Sequence, residues 1–150
     1  EFLFVAIDDH ARIGFTDVYP DETKVSARQF LCNAVAYYKS LGVQIKGLLT
    51  DNGAAFRSND FAQTCNDLGV KHRFTRPYRP QTNGKAERFI QSALREWAYG
   101  FVYQNSTQRT NHLDAWIHHY NWHRPHLGIG GIAPASRLGR TRNNLLTLHT

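Results

Sequence analysis

Long hydrophobic runs are missing from this chain of 150 residues, and no apolar stretch approaches the roughly 20 residues that a membrane-spanning helix needs. The first residues, Glu1 to Ile7, have no basic segment ahead of their apolar run and do not read as a secretory signal. Cysteine is scarce. Cys32 and Cys65 each fall inside an apolar helical pattern, so both are expected to be small buried hydrophobes rather than a disulfide, as suits a reducing cytoplasm. No paired-cysteine spacing suggests a zinc site. Acid is scarce in the second half: residues 71–150 carry three Asp/Glu against twelve Lys/Arg, whereas residues 1–70 carry nine against six. The net charge of +6 is therefore concentrated at one end, the footprint of a polyanion binder. The hydrophobic share of 41% is enough to core one domain, and neither an internal repeat nor a second domain is visible.

The patterning alternates. Phe2 to Ile7 reads as a buried strand, Asp8-Asp9-His10 as a turn, and Arg12 to Tyr19 as the second arm of a hairpin. Pro20-Asp21-Glu22 opens a helix whose stripe is Ala27, Leu31, Ala34, Tyr38 and Leu41, with Gly42 ending it. Val43 to Thr50 is a third strand. Ser58 caps a short helix facing inward through Phe61, Cys65 and Leu68, and Val70 to Thr75 is a fourth strand. A loop over Arg76 to Pro80 leads into a long helix to about Tyr99, followed by one from about Asn111 to His123, which Pro125 stops. After Gly128 the chain is Gly-rich, then basic, and reads as an extended tail. Such alternation predicts a mixed sheet covered by helices.

Two acids stand out within this pattern. Asp51 closes the run Leu48-Leu49-Thr50 and precedes Asn52-Gly53; Glu87 lies in Pro80-Gln81-Thr82-Asn83-Gly84-Lys85-Ala86-Glu87-Arg88, with thirty-five residues between the two. A strand-end carboxylate and a helix-borne one can converge on a hard cation such as Mg²⁺, which prefers oxygen ligands and assists phosphoryl transfer. On the helix, Ala86, Phe89, Ile90, Ala93 and Trp97 form an apolar face, and Lys85, Arg88, Ser92 and Arg95 form a second stripe. Glu87 lies at their border. Asn83 and Gly84 suit a loop that approaches a backbone closely.

With Thr50-Asp51-Asn52-Gly53 around one acid and the Pro80–Arg88 segment around the other, the chain resembles the catalytic core of the DDE transposases and retroviral integrases, over nearly its whole length. Tyr120-Asn121-Trp122-His123-Arg124-Pro125-His126, with Leu127 and Pro134, resembles the Y-N-x-x-R-P-H signature of the insertion-sequence branch. The resemblance implies an α/β fold, a ribonuclease H-like mixed sheet with flanking helices, with the core over residues 1–127 and a basic C-terminal tail over 128–150. It implies metal-dependent DNA cleavage and strand transfer by a 3′-hydroxyl, with Asp51 and Glu87 as catalytic ligands of two Mg²⁺ or Mn²⁺ ions. Asn83, Lys85, Arg88, Arg95 and Arg79 are then DNA contacts. The implied partners are transposon-end and target DNA and further copies of the chain, in a bacterial cytoplasm and away from membranes.

In this family a first acid sits on a strand ahead of the one that Phe4 to Arg12 resembles. The chain therefore reads as starting at the second strand, lacking the first, central one. Asp8 becomes a turn residue, with the missing-ligand role as its fallback. An empty central position would expose unpaired backbone groups, which predicts strand pairing between protomers or marginal stability. The missing acid also supports an alternative function, a catalytically inactive DNA-binding or oligomerisation module of the same origin. A ribonuclease of related fold is disfavoured by the two signature segments. His119 and His123 share a helix face but lack a third ligand, Trp97 and Trp116 fall on core faces, and Arg73, Arg76 and Arg79 are candidate phosphate contacts.

Overall fold

Strand β1 (Phe2–Asp8) and strand β2 (Gly14–Tyr19) form the expected hairpin, in antiparallel register from Phe2 opposite Tyr19 to Ile7 opposite Gly14. The structure, a computed structural model, describes residues 1–75, 84–100, 102–138 and 144–149. At the hairpin's tip the fully buried Asp8 carboxylate accepts the backbone N–H of Ala11 at 3.1 Å and of His10 at 3.4 Å, so this side chain closes the turn. Helix α1 (Lys24–Ser40) is capped by Thr23, which accepts the Ser26 N–H, while Asp21 accepts hydroxyl hydrogen bonds from both. Its expected stripe is buried except for the partly covered Leu41, and Phe30 joins it. Gly42, at φ 78°, ends the helix in the left-handed conformation that favours glycine. Cys32 departs from expectation: it lies on the exposed side of α1, whereas Cys65 is buried.

Strand β3 (Ile45–Thr50) leads through α2 (Asn59–Asp67), capped by Ser58 as predicted, to β4 (Lys71–Phe74), parallel to β3. Helix α3 (Gly84–Ala93) continues as a π-helical turn over Leu94–Ala98. Helix α4 (Ser106–Trp122) starts ahead of the predicted Asn111 because Asn105 accepts the Gln108 N–H at 2.8 Å and Gln108 accepts the Gln104 N–H at 2.6 Å. This reciprocal cap recruits a polar first turn that apolar periodicity could not reveal.

The segment expected as a tail departs most from the prediction. Residues Leu127–Ile129 and Pro134–Arg137 form short 3₁₀ turns, and Asn144–His149 forms strand β5 in the middle of the sheet, giving the order β2-β1-β5-β3-β4. Strand β5 runs antiparallel to β1 and parallel to β3, with Thr147 opposite both Ile7 and Leu49. The predicted mixed sheet is thus correct, but its central position is filled from the C-terminal side. The expected inter-protomer pairing is overturned, because one chain supplies all five strands, and the empty central position from which marginal stability was expected is filled. Leu146 and Leu148, both fully buried, explain the placement: alternate apolar residues complete the core between Ala6 and Leu48.

Two apolar layers flank this sheet. Phe4, Ala6, Leu48, Leu146 and Leu148 face α1 and α2, whereas Val5 and Ile7 face α3 and α4 through Phe89 and Tyr120. Among the described residues no helix is long and apolar enough to cross a membrane.

Candidate active site

Asp51 follows the last residue of β3 and is half-buried. Leu48 packs on the α1 side and the next even position, Thr50, meets His72, so the odd residues of β3 up to Leu49 face the other way and Asp51 lies one residue past the strand. Its Oδ1 accepts the Gly53 N–H at 2.8 Å. A Cβ at position 53 would lie 2.9 Å from that oxygen, so the close approach requires glycine. Asn52 ties the loop down: Nδ2 donates to the Thr75 carbonyl at 3.0 Å and Oδ1 accepts from Arg57 at 2.8 Å. Thr50 Oγ1 lies 2.7 Å from His72 Nε2, and burial lowers the His72 pKa below its ordinary value. Each residue of the Thr-Asp-Asn-Gly segment therefore fixes a strand-end carboxylate in place.

Glu87 lies in the first turn of α3 and is exposed. Phe89 and Ala93, fully buried, and Trp97, nearly so, lock the other face of this helix, as the wheel predicts. One carboxylate thus follows a sheet strand and the other opens a helix. Arg88 and Arg95 are exposed beside Glu87. Lys85 belongs to α3, and Asn83 and Arg79, like Arg76, lie outside the described residues.

Asp8 belongs to the α1 side of the sheet. It is the residue after Ile7 on β1, with Ala6 facing α1, and its charge raises the pKa of the buried Tyr38 on α1, although burial of that phenol is the larger cause. Strand β5, in register beside Asp51's strand, contains no carboxylate, and its buried Thr147 takes the position opposite Leu49. Among the described residues no group of three or more His, Cys, Asp or Glu could hold a metal ion. His119 on α4 and His123, the residue after it, have ring centroids 6.1 Å apart. Trp97 is buried with Nε1 donating to the Arg109 carbonyl, Trp116 packs on Phe89, and Trp122 is 42% exposed.

The segment Tyr120 to His126 builds one corner. Tyr120 packs edge-on against Phe89 and His126, Asn121 bonds to the Gly14 backbone, and Arg124 pairs with Glu96 and lies 5.8 Å from the Tyr120 ring centre. Sequence reasoning missed Arg12, which joins Arg88, Arg124 and His126 around one concavity. Its signal was present: a basic residue directly after a hairpin turn, in a half of the chain with few bases.

A five-stranded mixed sheet with helices on both faces, carrying acids at a strand end and at the start of a helix, defines the ribonuclease H-like class of α/β proteins. Two family profiles, each described as Integrase core domain, match residues 2–80 and 68–134, and the chain belongs to that family. A putative integrase of Spiroplasma virus SpV1-C74 is 26% identical over 146 residues, spanning 89% of this chain and 40% of that protein. A putative transposase InsD for insertion element IS2E of Escherichia coli (strain K12) is 31% identical over 100 residues, 66% of this chain and 45% of that protein. The chain thus spans less than half the length of these relatives. Among solved structures, the catalytic core domain of BIV integrase superposes with a TM-score of 0.70 at 21% identity, covering 91% of this chain and 84% of that one. A simian T-cell lymphotropic virus intasome chain gives 0.73 at 22% identity, covering 93% and 48%. These two likenesses carry the fold alone.

Proposed function

We propose that this chain is the catalytic core of a DNA transposase or integrase that cleaves DNA and joins a 3′-hydroxyl to target DNA. What supports this reading is the pair of carboxylates, Asp51 just after β3 and Glu87 in the first turn of α3, in a chain of the Integrase core domain family. Their chemistry suits Mg²⁺ or Mn²⁺: both offer hard oxygen donors, and the Gly53 N–H steadies the Asp51 carboxylate through Oδ1. Bound ions would activate the attacking oxygen and stabilise the leaving one in an in-line displacement. The chain's own part is to hold two ligands rigidly and to place Asn83, Lys85, Arg88, Arg95 and Arg79 along a DNA backbone. Such phosphate contacts give affinity without sequence preference. A third carboxylate comes, in this reading, from a strand upstream of Glu1 in a longer protein. The working assembly is a homo-oligomer on DNA in a bacterial cytoplasm.

One observation favours a second reading. The strand in the central position brings no acid, which fits a DNA-binding or oligomerisation module without catalysis.

Joining of labelled transposon-end DNA with Mg²⁺ or Mn²⁺ separates the two. The 150-residue chain is compared with one extended upstream, and Glu87→Gln in the longer chain is the control. Activity confined to the longer chain and lost in the variant supports the enzyme. DNA binding without joining by the longer chain favours the module.

A further inference from the structure

Three arginines from three separate elements line one concavity on the α3 side of the sheet. Arg12 comes from the β1–β2 turn, Arg88 from α3 and Arg124 from the residues after α4, and with Ser92, Tyr120 and His126 they wall a cavity of about 290 Å³. Among the described residues no acid lines it, and Glu96, which pairs with Arg124, lies outside the lining. Arg12 is held there: its backbone is left-handed at φ 67°, and its Nε donates to the Asp9 carbonyl at 3.0 Å. Arg124 is held by Glu96 and by the Tyr120 ring. Guanidiniums gathered on one cavity repel each other, and an anion between them relieves that repulsion. A second observation is independent of the charges. Among the described residues His126 Nε2 is buried without a hydrogen-bond partner, an orphaned polar atom in the same wall. Burial lowers the His126 pKa, a hydrogen bond to the Tyr120 backbone offsets part of this, and the charges of Arg124 and Arg12 lower it again.

We propose that this concavity is a phosphate-binding pocket, in which Arg12, Arg88 and Arg124 take a phosphate of a DNA strand, and the Ser92 hydroxyl and, once the ring is protonated, His126 Nε2 complete its hydrogen bonds. Guanidinium forks match phosphate oxygens two at a time, whereas the apolar floor from Ile7 and Tyr120 excludes water behind the anion. The source of the phosphate rests on the DNA reading above; the anion chemistry rests on the pocket alone. Asp51 is not among its lining residues, and the site adds contacts from the β1–β2 turn and from the residues after α4 that would fix the direction in which a strand crosses α3.

The test follows the His126 imidazole C–H resonances of the 150-residue chain by NMR during titration with inorganic phosphate. The same titration is run with a 5′-phosphorylated oligonucleotide and with its 5′-hydroxyl counterpart. Phosphate is expected to shift His126 and raise its pKa. Arg12→Gln and Ser92→Asp are each expected to weaken phosphate roughly tenfold or more, with unfolding curves recorded to show that both variants fold. A response to the phosphorylated strand alone identifies a strand end as the source, and equal responses to both identify a backbone phosphate. Silence of His126 toward phosphate and both strands, while DNA still binds the chain, overturns the pocket and leaves the DNA reading standing. A response to phosphate but to neither strand keeps the anion site and overturns DNA as its source.

Discussion

Asn121 and Gly14 meet edge to edge: the Asn121 Oδ1 accepts the Gly14 N–H at 2.8 Å, and its Nδ2 donates to the Gly14 carbonyl at 2.8 Å. The pair is buried and joins residues 107 apart, so one amide side chain gives β2 the two-point pairing that a neighbouring strand would supply. The asparagine of the Tyr120–His126 segment is therefore an anchor of α4 on the hairpin. A Cβ at position 14 would lie 2.3 Å from the Phe89 ring, which couples the same spot to the helix bearing Glu87.

Asn121→Asp is expected to cost about 2–4 kcal/mol, because it turns the Gly14 carbonyl toward a carboxylate oxygen and leaves buried groups unsatisfied. Gly14→Ala should cost about 1–3 kcal/mol by forcing Phe89 aside. Urea unfolding midpoints of the two variants check both values. An unchanged midpoint for Asn121→Asp would remove the anchor from this account.

Acid should destabilise the fold before its carboxylates titrate. Burial depresses the pKa values of His72 and His126 below 6.5, so between 6.5 and their folded values the unfolded state binds more protons than the native one. Stability is therefore intact above pH 6.5, falls as pH drops through that window, and carries the full penalty below it. The shifted carboxylates Glu1, Asp21 and Asp60 all have lowered pKa values and enter only below about 4.5. Unfolding midpoints measured between pH 7.5 and 5 should decline, and His72→Gln should flatten the decline.

Where local chemistry decides, the sequence was a good guide. Ser58, Gly42 and the Ala27–Tyr38 stripe marked their helices because caps and periodicity act within a turn or two of chain. Asp51 and Glu87 could be placed on a strand end and a helix start for the same reason. Strand β5 could not be read, because Leu145-Leu146-Thr147-Leu148 is a short apolar run without strand alternation, and its position depends on a gap between two distant strands. The pocket was hidden likewise: Arg12, Arg88 and Arg124 have no common spacing, and only the folded hairpin, α3 and α4 bring them together.

Strand β5 should be essential to the isolated chain. Leu146→Asp puts a charge at a fully buried position between two strands and is expected to cost more than about 4 kcal/mol. Removing residues 144–150 leaves facing edges of β1 and β3 unpaired, and concentration-dependent self-association should follow, measured by analytical ultracentrifugation. A monomeric, equally stable truncated chain would show that β5 adds nothing to the sheet.

If a third carboxylate reaches Asp51 on an upstream strand, that strand and β5 compete for one position, since β5 alone separates β1 from β3. Thr147 is the Cα partner of Ile7, close enough for a disulfide between cysteines placed at both sites. In a Cys32→Ser background, Ile7→Cys with Thr147→Cys should cross-link under mild oxidation in the 150-residue chain. In the chain extended upstream the cross-link should be lost as the new strand enters, and metal-dependent joining should appear in the same preparation. Cross-linking at equal yield in both chains would mean that β5 keeps the central position. The three-carboxylate site would then have to form without a strand between β1 and β3, and the enzymatic reading would lose its structural basis.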